Sequence, residues 1–349
     1  MKTILLTGAT WYIGSHWAVA LLEKNYEVII VDNFSNSNEN SLIFIEKITW
    51  KKPKFYEVDL RNKEKLEQVF KENKIDSVIH FAWAKAVWES CDEPFYYYEN
   101  NIIWSLNLFE IMEKYYVKNI IFSSSATVYE PTWIPPFTEE DLTWNTTNPY
   151  WTTKFIIENI LRDLSNHKLF NVINLRYFNP VWAHKSWLIW EDPNNIPNNL
   201  LPFILKVATW ELEQVKVFWN DYNTKDWTWE RDYIHVIDLI KGHIKALEFI
   251  QKNEKGWMYK IFNLWTWTPT SVLEIINTTE KIVWKKLNYK IVDRRKWDLD
   301  SSFCNPRKAK EILFWEAGIS IEESIKDSWN FIQNKKTNET KPKTTRSNW

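Results

Sequence analysis

Tyr150 and Lys154 stand four residues apart in Asn148-Pro-Tyr-Trp-Thr-Thr-Lys154. On a helix that spacing puts both side chains on one face. An ammonium beside a phenol favours the phenolate and lowers the tyrosine pKa. Such a tyrosine can act as a general base near neutral pH. A Tyr-x-x-x-Lys pair alone also arises by chance on solvated helix faces. Its context argues for chemistry: Ser123-Ser-Ser-Ala-Thr-Val-Tyr129 precedes it, and a glycine turn lies far upstream.

Those residues need elements to hold them. Ile4 to Leu6 is an apolar run short enough for a buried strand, Gly8 turns the chain, and Tyr12 to Leu22 reads as a helix. A strand, a glycine turn and a helix N-terminus together make an anion site. The motif wants glycine at three places, three residues apart. Gly8 and Gly14 supply the first and third, but Trp11 occupies the middle. Further strands are expected at Glu27 to Val31, Phe55 to Asp59, Ser77 to Ala82, Asn119 to Ser124 and Asn171 to Arg176. Helices are expected at Lys63 to Lys71 and, as one long element enclosing Asn100 and Asn101, at Pro94 to Tyr115.

This alternation predicts an α/β fold, a Rossmann-like doubly wound parallel sheet. Ligands in such sheets bind at the C-terminal strand ends. Thr7–Gly8, Asp32, Asp59, Ala82–Lys85, Ser123–Ser125 and Tyr177–Asn179 all fall there. Asp32 lies at the distance past the glycine turn where an acidic residue accepts hydrogen bonds from the ribose hydroxyls of NAD.

At 349 residues the chain can bury a large core and make two lobes. Its formal net charge of −1 leaves no electrostatic footprint for nucleic acid or an anionic membrane. Cys91 and Cys304 give no disulfide framework and suit a reducing compartment. No apolar run reaches transmembrane length. The chain opens directly on a strand, so no signal peptide is expected, and the location implied is cytoplasmic. Nothing calls for a metal.

Glycine and tryptophan usage is anomalous. At about 7% glycine a chain of this length would carry roughly 24; this one has 5 Gly and 24 Trp. Trp133, Trp227, Trp229, Trp265 and Trp267 fall in loops where turn chemistry wants glycine. The favoured explanation is decoding: UGA is read as Trp in some bacterial codes and as Gly in others. The abundance of Lys, Asn and Ile fits an AT-rich gene. The codons decide it: the suspect positions should be UGA and Trp329 UGG, and UGG throughout would end the idea. The alternative is an aromatic-rich binding protein.

With these residues in view, the sequence resembles the extended short-chain dehydrogenase/reductase superfamily and, within it, the UDP-glucose 4-epimerase family, from residue 2 to about residue 333. The resemblance is carried by Val31-Asp-Asn-Phe-Ser35, His80-Phe-Ala-Trp-Ala-Lys-Ala-Val-Trp-Glu-Ser90, Phe122 to Tyr129, Asn148-Pro-Tyr150 and Arg176-Tyr-Phe-Asn-Pro-Val-Trp-Ala-His184. Arg231-Asp-Tyr-Ile-His-Val236 and Arg294-Arg-Lys-Trp-Asp298 add to it. The family has glycine where this chain has Trp11, Trp83, Trp88, Trp104, Trp151, Trp182, Trp187, Trp190, Trp229, Trp265, Trp267 and Trp297.

The resemblance implies an NAD-binding domain over 1–179, a smaller α/β lobe for a UDP-sugar over 180–333 with some chain returning to the first domain, and a disordered tail over 334–349. NAD would lie against Gly8, Trp11, Tyr12, Ile13, Asp32, Asn33, Asp59, Leu60, Phe81, Ala82, Lys85, Asn100, Ser123, Tyr177 and Phe178, with Tyr150 and Lys154 on its nicotinamide ribose. The UDP-sugar would contact Lys85, Ser125, Asn179, Asn199, Leu200, Phe218, Arg231, Tyr233, Arg295, Asp298 and Ser302. Tyr150 and Ser125 would handle the proton of the sugar 4-hydroxyl while C4 is oxidised to a ketone and reduced from the other face. Ser302 would leave room for an acetamido group, so UDP-N-acetylhexosamines would also fit. Relatives are commonly homodimers.

Two rivals remain. One is another nucleotide-sugar enzyme, a 4,6-dehydratase or a uronate epimerase. A dehydratase needs an acid/base pair just after the serine-rich strand, where this chain has Ala126 and Thr127. The other is a non-catalytic nucleotide-binding protein whose Trp11 plugs the pyrophosphate site.

Overall fold

Short apolar runs separated by charged, amphipathic stretches fold into strands and helices in alternation. The computed structural model describes residues 1–339, apart from 85, 131–133, 144–145, 182–183, 185, 187, 190–198, 254–255 and 295–299, and without the side chains of 335–339. The first half runs β1 (Thr3–Thr7), α1 (Tyr12–Glu23), β2 (Glu27–Asp32), α2 (Asn40–Thr49), β3 (Lys54–Glu57), α3 (Lys63–Glu72), β4 (Ser77–His80), α4 (Val87–Asp92) and α5 (Pro94–Tyr98). A π-helical turn, Glu99–Ile103, leads into α6 (Trp104–Lys114), β5 (Asn119–Ser123), α7 (Pro149–Lys168) and β6 (Asn171–Arg176).

The second half holds β7 (Asn179–Val181), α8 (Leu200–Ala208), β8 (Val215–Phe218), β9 (Glu230–His235), α9 (Val236–Lys252) and β10 (Met258–Asn263). It ends with β11 (Pro269–Ser271), α10 (Val272–Val283), β12 (Tyr289–Val292), β13 (Ser301–Ser302), α11 (Arg307–Leu313) and α12 (Ile321–Glu339).

Seven strands form one parallel sheet in the order β3-β2-β1-β4-β5-β6-β10. Winding reverses between β1 and β4, and the crevice opened there is where such sheets bind ligands. Because the strands are covered on both faces, they are apolar throughout rather than alternating. Ile4, Leu6 and Ile30 face a core shared with α1 and α9. Leu5, Ile29 and Val78 face the opposite core, built with α3, α6 and α7. β10 joins the edge beside β6, so chain beyond residue 180 completes the first sheet. A second sheet centres on β9, which pairs with β7, β11 and β13. A third core, including Leu201, Val217 and Ile276, packs α8 and α10 beneath it. Among the described residues no helix is long and apolar enough to cross a membrane.

Two expectations change. The single helix over 94–115 is interrupted by the π turn, which buries Asn100 and Asn101. An extra residue in a helical turn re-aims side chains, and such bulges collect at functional sites. At the C-terminus α12 continues to Glu339, past the boundary at 333 where order was expected to end. Helical backbone hydrogen bonds need no apolar partner, so a polar stretch can extend a helix already anchored by Ile325 and Phe331.

Two groups of tryptophans stand out. Trp17, Trp265 and Trp315 are buried, and the latter two donate ring N–H bonds to the Arg176 and Asp238 carbonyls. The Trp265 and Trp315 sites thus accommodate an indole, whereas the buried Trp17 ring N–H has no partner among the described residues. Trp50, Trp210, Trp219, Trp227, Trp267 and Trp284 instead have φ between 55° and 68°. They are six of the eleven non-glycine residues in that left-handed region among the described residues; the others are Asn25, Phe34, Tyr116, Leu169 and Phe314. A Cβ there crowds the backbone at a cost of about 1–2 kcal/mol. Trp50 and Trp284 follow the last turns of α2 and α10, where helices commonly place glycine. Both indoles are about nine-tenths exposed, so they recover little by packing.

Trp284→Gly and Trp50→Gly should therefore each raise unfolding free energy by about 1 kcal/mol, measured by urea denaturation. Trp284→Ala, which keeps the Cβ, should gain much less. Equal gains from alanine and glycine would show that the backbone is not the source of the strain.

Candidate active site

At the end of β1 the chain must pass close under β4. Gly8 has φ +70°, and a Cβ on it would fall 2.7 Å from the Ala82 Cα. A Cβ on Gly14 would fall 2.4 Å from the Ala9 Cα. Both contacts are with backbone and cannot yield, so glycine is required at each. Trp11 has an ordinary extended backbone (φ −94°) at the N-cap of α1, with no side-chain cap bond. Its conflict is with whatever approaches the helix N-terminus, not with its own geometry. Tyr12 is buried against His16, and Ile13 is half-buried.

Asp32, at the end of β2, is buried and accepts from the Thr10 N–H (3.0 Å) and the Phe34 N–H (2.9 Å). It thus ties the glycine turn to the β2 end. Asn33 donates to Asp59 at 3.0 Å, and Asp59 also pairs with Arg61 at 2.7 Å. Burial pushes the Asp59 pKa up, but hydrogen bonds from Arg61 and Asn33 outweigh it and hold it below the usual range. Leu60 is buried, its carbonyl held by Asn107. Phe81 is buried and Ala82 half-buried at the β4 end. Lys85, Arg295 and Asp298 lie outside the described residues.

Asn100 and Asn101 differ in role. Asn101 brackets Ala84, accepting from its N–H at 2.9 Å and donating to its carbonyl at 3.1 Å, and it also donates to Thr153 on α7. The Asn100 Nδ2 is buried with no partner among the described residues. A buried donor left unpaired costs about 1–3 kcal/mol, which suits a group that meets a ligand.

Tyr150 and Lys154 occupy the first turns of α7, begun by Asn148, which accepts from the Trp151 N–H, and by Pro149. Asn at the N-cap and Pro just inside it are the residues that start helices. Ser123, at the β5 end, hydrogen-bonds the buried Tyr177 hydroxyl. Ser125 is buried and accepts from the Thr127 hydroxyl at 2.9 Å. Phe178 stacks parallel to Trp265.

The expected lowering of the Tyr150 pKa is not found. Burial pushes it up. Lys154 Nζ donates to the Ser123 carbonyl at 2.8 Å and lies 3.4 Å from the centre of the Trp83 ring, but 5.9 Å from that of Tyr150. The indole face takes the ammonium, a cation–π contact, and so draws it from the phenol. Burial also pushes the Lys154 pKa well down, against the charge of Glu158.

Strand β9 gathers the residues expected on the substrate side. Tyr233 pairs with Asn179 across β7, and Arg231 with Ser302 across β13. Arg231, Tyr233 and Ser302 are buried, and the Arg231 guanidinium lies 4.8 Å from the Trp229 ring centre. Asn199 stands at the N-cap position of α8 without a side-chain cap bond, Leu200 begins the helix, and Phe218 ends β8.

Three residues were not anticipated: Asn101, Glu158 and Arg176. The Glu158 signal was present, since Tyr150, Lys154 and Glu158 repeat at intervals of four along one helix face.

The sequence model of the GDP-mannose 4,6 dehydratase family matches residues 5–328. The UDP-glucose 4-epimerase of Bacillus subtilis (strain 168) is 49% identical over 329 residues, covering 94% of this chain and 96% of that protein. The crystal structure of the Bifidobacterium longum UDP-glucose 4-epimerase in complex with NAD+ and UDP has a TM-score of 0.90 at 44% identity, covering 97% of this chain and 99% of that one. The Stenotrophomonas maltophila enzyme, with bound NAD and formylated UDP-arabinopyranose, has a TM-score of 0.93 at 36% identity, covering 97% and 100%.

Trp83→Gly should release Lys154 and tighten NAD binding at least about tenfold, about 1.4 kcal/mol, by isothermal titration calorimetry. Unchanged binding would mean the indole does not contest the cofactor's space.

Proposed function

The chain belongs to the UDP-glucose 4-epimerase family, within the extended short-chain dehydrogenases/reductases, and on that premise we propose that it interconverts UDP-glucose and UDP-galactose at C4 with NAD as its resident cofactor. The observation that carries this is the convergence of Tyr150, Lys154 and the Ser123–Ser125 strand end at the C-terminal edge of the parallel sheet. The glycine contacts at Gly8 and Gly14 and the unpaired Asn100 amide fit a dinucleotide.

NAD supplies reversible hydride acceptance at the sugar C4, chemistry no side chain performs. The chain supplies the rest. Tyr150 takes the proton of the 4-hydroxyl and later returns it. Ser125, its hydroxyl already oriented by Thr127, hydrogen-bonds the same oxygen. Lys154 stabilises the phenolate once its ammonium turns from Trp83 to the ribose side. Arg231, with Arg295, suits the diphosphate, since a guanidinium fork matches its oxygens. Asp32 and Asn33 would hold the adenosine end, and Asn179, Asn199, Leu200, Phe218, Tyr233 and Asp298 would contact the UDP-sugar. The dehydratase alternative lacks support, because Ala126 and Thr127 carry no acid/base group.

The reading needs room for the cofactor at Trp11 and Trp83, and glycine at both positions in the natural chain would give it. The left-handed tryptophans support that decoding on backbone grounds alone. The mass of the natural protein counts Trp against Gly directly.

A homodimer is supported by an exposed apolar face on α5 and the π turn, Phe95, Tyr96 and Ile103; sedimentation reads it. A cytoplasmic location is supported by the two free cysteines, and cell fractionation checks it.

One assay tests the chemistry and its scope. With UDP-galactose, Tyr150→Phe should lower turnover roughly 10²–10⁴-fold while the fold is retained; near-parental turnover would reject Tyr150 as the base. With UDP-N-acetylglucosamine the parent should also turn over. Ser302→Tyr should remove that activity alone, since a clash against the larger sugar sets specificity. Loss on both sugars would take Ser302 out of that role.

A further inference from the structure

Directly behind Lys154 lies a buried ion pair that the chemistry above does not use. Glu158 is one helical turn on from Lys154, and its carboxylate is buried. Arg176, at the end of β6, grips it in a fork: Nε donates to Oε1 at 3.0 Å and Nη2 to Oε2 at 2.6 Å. The Ser124 hydroxyl donates to the same carboxylate. Arg176 is itself buried over the Tyr129 ring, 4.7 Å from its centre.

Burying two charges costs desolvation energy that their attraction often does not recover, so such a pair is weak evidence of a stabilising role. Its placement suggests another use. Ser124 sits between Ser123, whose carbonyl receives Lys154, and Ser125. The carboxylate therefore holds the middle of the strand end whose two neighbours meet the lysine and the substrate oxygen.

We propose that Glu158, clamped by Arg176, is a positioning residue that opposes the loss of the Lys154 proton and seats the Ser123–Ser125 strand end. This rests on the epimerase reading for its purpose, though not for its test. A fully buried lysine tends to lose its proton, and a neutral amine could not stabilise the Tyr150 phenolate. Glu158 supplies the opposing charge. Of the other titratable groups around the pair, Arg162, one turn further along α7, also carries a charge, and several are held uncharged by burial. His80, on β4, is kept neutral by burial, its pKa pushed down to about 3. Burial likewise pushes up the phenols of Tyr129, Tyr150, Tyr177 and Tyr259. Lys154 thus has one anion to rely on among these described neighbours.

The signs follow. Without the carboxylate, Lys154 loses its proton at lower pH, so the alkaline limb of kcat moves down. The phenolate is then less stabilised, so the acid limb moves up, and the active window narrows from both sides. A residue that only held the fold would lower kcat without moving either limb.

The direct measurement is the Lys154 titration by carbon-13 lysine NMR, with Lys154→Met to assign the resonance. In Glu158→Gln, which keeps an acceptor for Ser124, Lys154 should titrate at least about one pH unit lower than in the parent. That variant strands the Arg176 charge and could unfold. Glu158→Gln with Arg176→Met removes both charges, should fold, and should still titrate lower than the parent. An unchanged Lys154 titration in the folded double variant would overturn the proposal. The pH profile of kcat is the second readout: both limbs should move inward, and parental limbs with reduced kcat would reduce the pair to a structural one. If the parent turned over no UDP-sugar, the epimerase reading would fall while the lysine titration still decided this inference.

Discussion

The architecture depends on how closely β1 and β4 approach at their C-terminal ends. With no side chain on Gly8, its Cα can sit against the Ala82 backbone. That contact lies where the winding of the sheet reverses, so the two strand ends stay close there. Gly14 does the same one turn into α1, letting the helix N-terminus press on Ala9. Asp32 then fixes the turn from the other side through the Thr10 N–H. These are backbone packing constraints, and no substitute side chain satisfies them.

From that crevice the catalytic face is built by two parallel devices. The π turn after α5 redirects Asn101 to bracket Ala84 and to reach α7 through Thr153. The Glu158–Arg176 pair ties α7 to the ends of β5 and β6. Both fix the register of α7 against the strand ends, and with it the placement of Tyr150 and Lys154. The tryptophans act against this arrangement. The Trp83 ring face holds the Lys154 head group, and Trp11 stands at the N-terminus of α1. The six left-handed tryptophans, spread over loops and helix ends, show the same misfit in backbone terms.

Much of this could be read along the chain. Apolar runs of strand length alternating with amphipathic helices determined a parallel doubly wound sheet, because only strands covered on both faces can be apolar throughout. The glycine turn, Asp32, the serine-rich strand end and the Tyr-x-x-x-Lys pair were legible because each is a local motif whose spacing is its meaning. The shortage of glycine was legible from composition.

What the sequence could not decide depends on contacts between distant segments. The break of the 94–115 helix into a π turn accompanies the Asn101 bonds to Ala84 and Thr153, which no periodicity records. The direction of the Tyr150 pKa was set by burial, which pushes it up, while the Ser123 carbonyl and the Trp83 ring hold the Lys154 head group. Arg176 was visible only as a strand end until folding placed it on Glu158. Local spacing determined which groups could do the chemistry; burial and long-range packing alone decided which of them touch and which charges survive.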